Sequence, residues 1–212
     1  MNIYILKNGE KENELIPFLS EERREKLGGI NSVKVKREKI YAYALLRYCL
    51  FEEQLISSAP SFSYGEKGKP FLSGYPDIHF SISHSGGYSG CVVSNEEIGL
   101  DIQDFRPCNL KVTSKICTDK ELDFVLGGDV SPSFETCRLW CMKEARGKLT
   151  GKGFSEGFDK TETSELIERG ELFNTVTEDD LFISVCGYSA LPEIKIVSVS
   201  EEKLFEMLNA MS

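Results

Sequence analysis

The sequence predicts an α+β protein built of two similar halves. Three observations predict it. Tyr41, Leu45, Leu46, Cys49 and Leu50 recur at helical spacing, whereas Ile78–Ser83 alternates apolar and polar like a half-buried strand. The order helix, then two or three strands, occurs twice along the chain. The 212 residues are 41% hydrophobic and 28% charged, an ordinary globular composition that allows one large domain or two of about 100 residues.

The elements follow in order. Ile3–Leu6 opens the chain as a strand. Ser20-Glu21-Glu22-Arg23 begins a helix with capping chemistry and acids in its first turn. A second helix covers about residues 36–53. Residues 57–74 are rich in Gly, Ser and Pro and read as loop with room for a short strand. Ile78–Ser83, Tyr88–Ser94 and Ile98–Gln103 are strands. Arg106-Pro107 marks 104–108 as a link, dividing the chain into halves 1–104 and 105–212. Leu110–Ile116 and Thr118–Leu126 are helical. Thr118-Asp119-Lys120-Glu121 has the pattern of a capping box. Ser131–Thr150 is a longer helix, with Pro132 in its first turn and Gly151 and Gly153 closing it. Strands at Glu171–Val176, Leu181–Cys186 and Glu193–Val199 and a helix at Glu201–Leu208 complete the second half. Gly90–Ser94 and Ile183–Gly187 echo each other weakly, which suggests duplication, although no run of residues repeats.

The net charge of −9, from 34 acids and 25 bases, argues against a general nucleic-acid binder, which is usually basic. No run approaches the roughly 18–20 apolar residues of a membrane span. The start, Met1–Lys7, is strand-like rather than a signal peptide. A cytoplasmic location is expected. The seven cysteines agree: the number is odd, no C-x-x-C occurs, and most lie in apolar runs, as buried free thiols in a reducing compartment do. Two histidines and no zinc spacing leave a structural zinc unsupported. Residues 20–47 hold eight bases against four acids. A basic window in an acidic chain suggests a confined anion site, though i,i+4 ion pairs on a solvated helix face give the same count.

Four constellations carry chemistry. In Ile98-Gly99-Leu100-Asp101-Ile102-Gln103, strand geometry turns Ile98, Leu100 and Ile102 to the core and Gly99, Asp101 and Gln103 to the other face. Asp101 and Gln103 then lie about 7 Å apart along the strand. Their oxygens suit one hard cation, and Gly99 leaves room for a ligand. An ordinary polar strand face has the same pattern. In Trp140-Cys141-Met142-Lys143-Glu144-Ala145-Arg146-Gly147-Lys148, Trp140, Glu144 and Lys148 form one helical stripe with Lys143 beside it. That is either an intrahelical ion pair or a carboxylate flanked by phosphate-binding lysines. Gly147 costs a helix about 1 kcal/mol against alanine, so it implies close approach of something else or an early helix end. Ser81-Ile82-Ser83-His84-Ser85-Gly86-Gly87 ends a strand in hydroxyls and glycines suited to phosphate oxygens. It contains no G-x-S-x-G nucleophile elbow. Gly65–Phe71 is a turn with Lys69 ahead of Pro70. Gly147–Gly153 fails as a Walker A motif because it ends a helix, and no G-x-G-x-x-G in strand–helix context supports a Rossmann site.

Together these segments resemble the Sfp-type 4′-phosphopantetheinyl transferases. The family pattern is G-x-D-x-E, followed about 40 residues later by W-x-x-K-E-A-x-x-K. Here it stands as Gly99-Leu100-Asp101-Ile102-Gln103 and Trp140–Lys148, with the family's G-K-P and S-H-S as Gly68-Lys69-Pro70 and Ser83-His84-Ser85. The resemblance runs from about residue 20 to residue 153. It implies a pseudo-symmetric fold of two halves, each a small antiparallel sheet packed with helices, with coenzyme A in the cleft between them. It implies Mg2+-dependent transfer of the 4′-phosphopantetheine arm from coenzyme A to a serine of an apo acyl or peptidyl carrier protein, releasing adenosine 3′,5′-bisphosphate. It implies Asp101, Gln103 and Glu144 as metal ligands and Glu144 as first base, with Glu121 as a second, where the capping box is the alternative. Lys148 would bind the pyrophosphate, with Lys143 a further candidate. Arg23, Lys26 and His84 would hold the 3′-phosphate, with Ser83 beside them, and Lys69 and Pro70 would flank adenine and ribose. Gln103 departs from the family's Glu, so weaker metal affinity with activity kept is expected. A non-catalytic coenzyme A- or carrier-binding relative and a phosphate-ester hydrolase are the competing readings. A monomer is expected, because one chain holds both halves.

Overall fold

The computed structural model describes residues 1–153, 157–178 and 180–211. Its strands are β1 (Asn2–Lys7), β2 (Phe62–Tyr64), β3 (Pro70–Leu72), β4 (His79–Ser85), β5 (Tyr88–Ser94), β6 (Ile98–Asp104), β7 (Leu172–Glu178), β8 (Leu181–Gly187) and β9 (Lys195–Val199). Its helices are α1 (Glu12–Leu15), α2 (Glu21–Gly28), α3 (Val33–Glu52), α4 (Leu110–Ile116), α5 (Asp119–Gly127), α6 (Pro132–Thr150), α7 (Thr163–Glu168) and α8 (Glu201–Ala210). The mixed α+β class expected from the periodicities is the one observed. The chain divides into two compact units: Met1–Glu96 together with the segment from Glu193 onward, and Glu97–Pro192.

The first unit is a sheet in the order β4-β5-β1-β9 with α3 packed on it. The β1 strand pairs antiparallel with β5, Ile3 opposite Val92, and parallel with β9, Ile3 opposite Ile196. Helix α3 begins earlier than its apolar stripe, because the Ser32 side chain caps it by accepting from the Val35 amide at 3.4 Å. Ile40, Tyr41, Ala44, Leu45, Tyr48 and Cys49 bury its inner face against Tyr4, Leu6, Leu204 and Leu208. Ser20 precedes α2 as expected, but its side chain makes no capping bond. The Gly/Ser/Pro-rich stretch forms the small hairpin β2–β3, with Tyr64 opposite Pro70.

The second unit is an antiparallel sheet, β6-β8-β7, with α6 lying across β6 and β8. Asp101 is paired with Ser184 and Gln103 with Phe182. Phe134, Cys137 and Cys141 of α6 pack on Phe182, and Ala145 and Leu149 on Cys186 and Phe173. The echoed segments fall in β5 and β8, each an interior strand beneath its unit's long helix.

Two expectations differ from the observed division. The boundary expected at 104/105 cuts off β6, whose whole length pairs with β8 of the second unit. The strand expected at Glu193–Val199 in the second half is β9, which hydrogen-bonds to β1 and so joins the first unit. Backbone pairing, not sequence proximity, decides both. No described helix is long and apolar enough to cross a membrane. All seven cysteines are free, and six of them are buried.

Candidate active site

Asp101, Glu144 and Lys148 meet where α6 crosses β6. Asp101 is 5% exposed, and Lys148 Nζ donates to its Oδ1 at 2.7 Å. Glu144, one turn before Lys148, is half-buried. Burial, and then the charge of Asp101, push its carboxyl up to about 7, against the opposing effect of Lys148. Two like charges in a poorly solvated site resist ionising together.

The sequence builds this cluster through Gly99. A Cβ there would lie 2.0 Å from the Ala145 carbonyl oxygen and 2.6 Å from the Leu149 amide nitrogen. The room expected for a ligand at Gly99 is therefore filled by the α6 backbone. Strand alternation then presents Asp101 to the same helix, and the four-residue step carries Glu144 and Lys148 to it. Both faces of β6 are buried at Leu100 and Asp101, so the ordinary polar strand face does not describe it. Gly147 also answers to close approach: a Cβ would meet the Gly153 carbonyl oxygen at 3.3 Å, and α6 continues past it to Thr150.

Gln103 turns its amide nitrogen to Asp104, donating to the carbonyl oxygen at 3.0 Å and to Oδ1 at 3.2 Å. Its amide oxygen is the atom suited to a cation. The donor set fits magnesium, which commonly takes one or two carboxylates and completes its shell with phosphate oxygens and water. Among the described residues no cluster of three or more His, Cys, Asp or Glu side chains is placed to hold a metal, so substrate oxygens would be needed. A cavity of about 270 Å³ has Gln103, Trp140, Val112, Ile116, Cys108 and Cys137 among its walls.

Lys143 and Glu121 stand elsewhere. Lys143 is 3% exposed, and its Nζ donates to Ile116 O at 2.8 Å, Phe158 O at 2.9 Å and Glu121 Oε2 at 2.5 Å. Glu121 also accepts from the Thr118 and Thr163 amides and the Thr163 hydroxyl. The capping box at Thr118 is present with both of its bonds. An ammonium has three donors, and all three are spent here. Lys143 and Glu121 form a buried tie between α5 and α6.

In the first unit, Arg23 and Lys26 of α2 come together with β2. The Arg23 guanidinium lies 3.7 Å from the Tyr43 ring centroid, 4.4 Å from Phe62 and 5.2 Å from Tyr64. It is 8% exposed, and its Nε and Nη2 have no hydrogen-bond partner among the described residues. Lys26 Nζ sits 3.2 Å from the Tyr64 ring centroid and 2.9 Å from Glu22 Oε1. His84 is exposed at the end of β4, with Nδ1 3.4 Å from Glu38 Oε2, while Ser83 is buried. Lys69 lies 5.9 Å from the Phe71 ring, next to Pro70 opposite Tyr64. The aromatic residues Tyr43, Phe62 and Tyr64 are absent from the expectations. The signal for them was the pair Phe62 and Tyr64, two apart on one strand face, following the basic window.

A family model described as the 4′-phosphopantetheinyl transferase superfamily matches residues 97–189, nearly the whole second unit. The 4′-phosphopantetheinyl transferase Sfp of Bacillus subtilis (strain 168) is 33% identical over 153 residues, 71% of this chain and 68% of that protein. The 4′-phosphopantetheinyl transferase psf-1 of Bacillus pumilus is 31% identical over 194 residues, 88% of this chain and 81% of that protein. The 4′-phosphopantetheinyl transferase gsp of Aneurinibacillus migulanus is 31% identical over 159 residues, 68% of this chain and 65% of that protein. With the motif residues joined as described, this chain belongs to the Sfp-type 4′-phosphopantetheinyl transferases, enzymes that transfer the 4′-phosphopantetheinyl group.

Proposed function

We propose that the protein moves the 4′-phosphopantetheine arm of coenzyme A to a serine hydroxyl of an apo acyl or peptidyl carrier protein, with Mg2+ bound and adenosine 3′,5′-bisphosphate released. The cluster of Asp101, Glu144 and Lys148 on Gly99's strand carries the reading. Asp101 and Glu144, with the Gln103 amide oxygen, would hold Mg2+, which when bound neutralises charge on phosphoryl oxygens. The rest is the work of this chain's side chains. Glu144 accepts the proton of the serine hydroxyl, directly or through a water. The serine oxygen bonds to phosphorus, and the pyrophosphate bond breaks with its electron pair leaving on adenosine 3′,5′-bisphosphate. Lys148, now on Asp101 Oδ1, turns to the leaving phosphate and stabilises its charge.

Arg23, whose buried Nε and Nη2 lack acceptors among the described residues, takes the 3′-phosphate with Lys26. Lys69 and Pro70 flank adenine and ribose, and Ser83 and His84 lie on the phosphate side. The cavity beside Gln103 and Trp140 offers the pantetheine arm an apolar wall. Exposed Leu110, Val112, Phe124 and Leu126 on α4 and α5 suit an apolar contact with the carrier protein, so carrier affinity should depend only modestly on salt. One chain carries every residue used, which favours a monomer, and the seven free thiols favour the cytoplasm.

The test is intact mass of an apo carrier protein after incubation with coenzyme A, Mg2+ and this protein. The expected result is a gain of one phosphopantetheine arm, lost when the metal is chelated. No modification at saturating Mg2+ overturns the reading. Asp101→Asn keeps an acceptor for Lys148 and should fold, yet lower transfer by about 100-fold.

A further inference from the structure

Two thiols wall the cavity between α4 and α6. Cys108 stands just before α4 and Cys137 lies in the second turn of α6, with Val112, Ile116, Thr136 and Trp140 facing the same space. Ser133 fixes the first thiol's backbone: its Oγ accepts from the Cys108 amide at 3.0 Å and donates to the Cys108 carbonyl oxygen at 3.1 Å. Cys137, one helical turn beyond Ser133, donates from Sγ to the Arg106 carbonyl oxygen at 3.5 Å. Residues 106–108 are thus laced along α6, running against its direction. The offset between the two cysteines along the helix is one turn, ~5.4 Å, and a disulfide spans roughly 4.4–6.8 Å between Cα atoms. The bonds the thiols now make are weak and replaceable. Cys108 Sγ is 3.6 Å from Thr113 Oγ1, which keeps Asn109 O at 3.3 Å and Thr136 Oγ1 at 3.1 Å when the thiol turns away. Cys117 is a poorer partner for Cys108. It follows the end of α4, Cys108 precedes its start, and seven helical residues span about 10 Å.

We propose that Cys108 and Cys137 form a redox-active dithiol site that reacts with small, uncharged aliphatic disulfides admitted by this cavity of about 270 Å³. Cys108 is the one cysteine of the seven that is not buried, and burial pushes the Cys137 thiol up. The first attack therefore belongs to Cys108, because the thiolate is the nucleophile. Its deprotonated Sγ bonds to one sulfur of the small disulfide, and the other sulfur leaves with the electron pair as a thiolate. Cys137 Sγ then gives its proton to water, bonds to Cys108 Sγ and expels the second thiolate. Two protein thiols are oxidised to one disulfide, and the external disulfide is reduced to two thiols. The bridge would tie the start of α4 to α6 across the cavity. The inference goes beyond the transfer reading, and its test needs neither coenzyme nor carrier protein.

The experiment treats the full chain with 2-hydroxyethyl disulfide at neutral pH and follows intact mass and peptide maps. The wild type should lose two hydrogens, with Cys108 linked to Cys137. Cys137→Ala should stop at one mercaptoethanol adduct on Cys108, and Cys108→Ala should stay unmodified. Oxidised glutathione, charged and too large for the cavity, should react about tenfold more slowly or worse, because exchange depends on access. Iodoacetamide on the native wild type should label Cys108 first, a readout that needs no variant to fold. An unmodified wild type, a lasting adduct on it, a Cys108–Cys117 link, or equal rates with both disulfides overturns the proposal.

Discussion

Lys143 sits within W-x-x-K-E-A-x-x-K and invites a phosphate, yet its three donors end on two carbonyl oxygens and Glu121. The helical stripe in the sequence shows that Lys143 lies beside Glu144, not which neighbouring segment covers it. Removing one partner of a buried pair strands the other charge, so Lys143→Met should cost about 3–5 kcal/mol in urea unfolding, against under about 1 kcal/mol for an exposed pair. Glu144 gives a pH dependence. Its folded value of about 7 exceeds the ordinary 4.5, so the folded protein binds more protons in that interval and loses stability as pH rises through it. Glu144→Gln removes the titration. In metal-free buffer the variant should gain on the wild type by on the order of 2 kcal/mol from pH 4.5 to 8. An unchanged difference across that range contradicts the shift.

Helix α6 depends on two glycines with opposite consequences. Both were visible in the sequence as departures from good helix or strand composition, but not what approached them. At Gly99 a methyl group would overlap backbone atoms of Ala145 and Leu149 at 2.0 and 2.6 Å. Neither can move without shifting the helix, so Gly99→Ala should cost about 3 kcal/mol or more and displace Glu144 and Lys148 from Asp101. At Gly147 the nearest atom is 3.3 Å away, on the Gly153 turn, and alanine gains about 1 kcal/mol of helix propensity. The two effects nearly cancel. Gly147→Ala should leave the melting temperature within about 4 °C of wild type, whereas Gly99→Ala lowers it well beyond that.

At the scale of the molecule, the chain returns to its beginning. Strand β9 lies beside β1, and α8 places Leu204, Met207 and Leu208 in the core of the first unit. Burying each such side chain stabilises by about 1.5–3 kcal/mol, so deleting residues 193–212 removes an amount comparable to a whole domain's stability of about 5–15 kcal/mol. The truncated protein should lose the cooperative unfolding of its first unit, read by near-ultraviolet circular dichroism. A fragment of residues 97–192 keeps every strand of its sheet and should retain a folded signal. The net charge of −9 acts at this scale too. It opposes an anionic coenzyme globally, so under the proposed function affinity would come from confined cations such as Arg23 and Lys26.

The sequence by itself determined the types of strands β1 and β4 to β9 and of helices α2 to α6 and α8, the capping box at Thr118 and the alternation that presents Asp101. Each follows from periods and caps within a few residues. It also carried the family, through side chains at set spacings on single elements. Only the tertiary structure decided that Gly99 admits a helix rather than a ligand, that Lys143 and Glu121 bind each other, that three aromatic rings surround Arg23, and that the last strand joins the first. Those outcomes depend on backbone pairing and packing between segments far apart in the chain, and local propensity holds no record of which distant segment arrives.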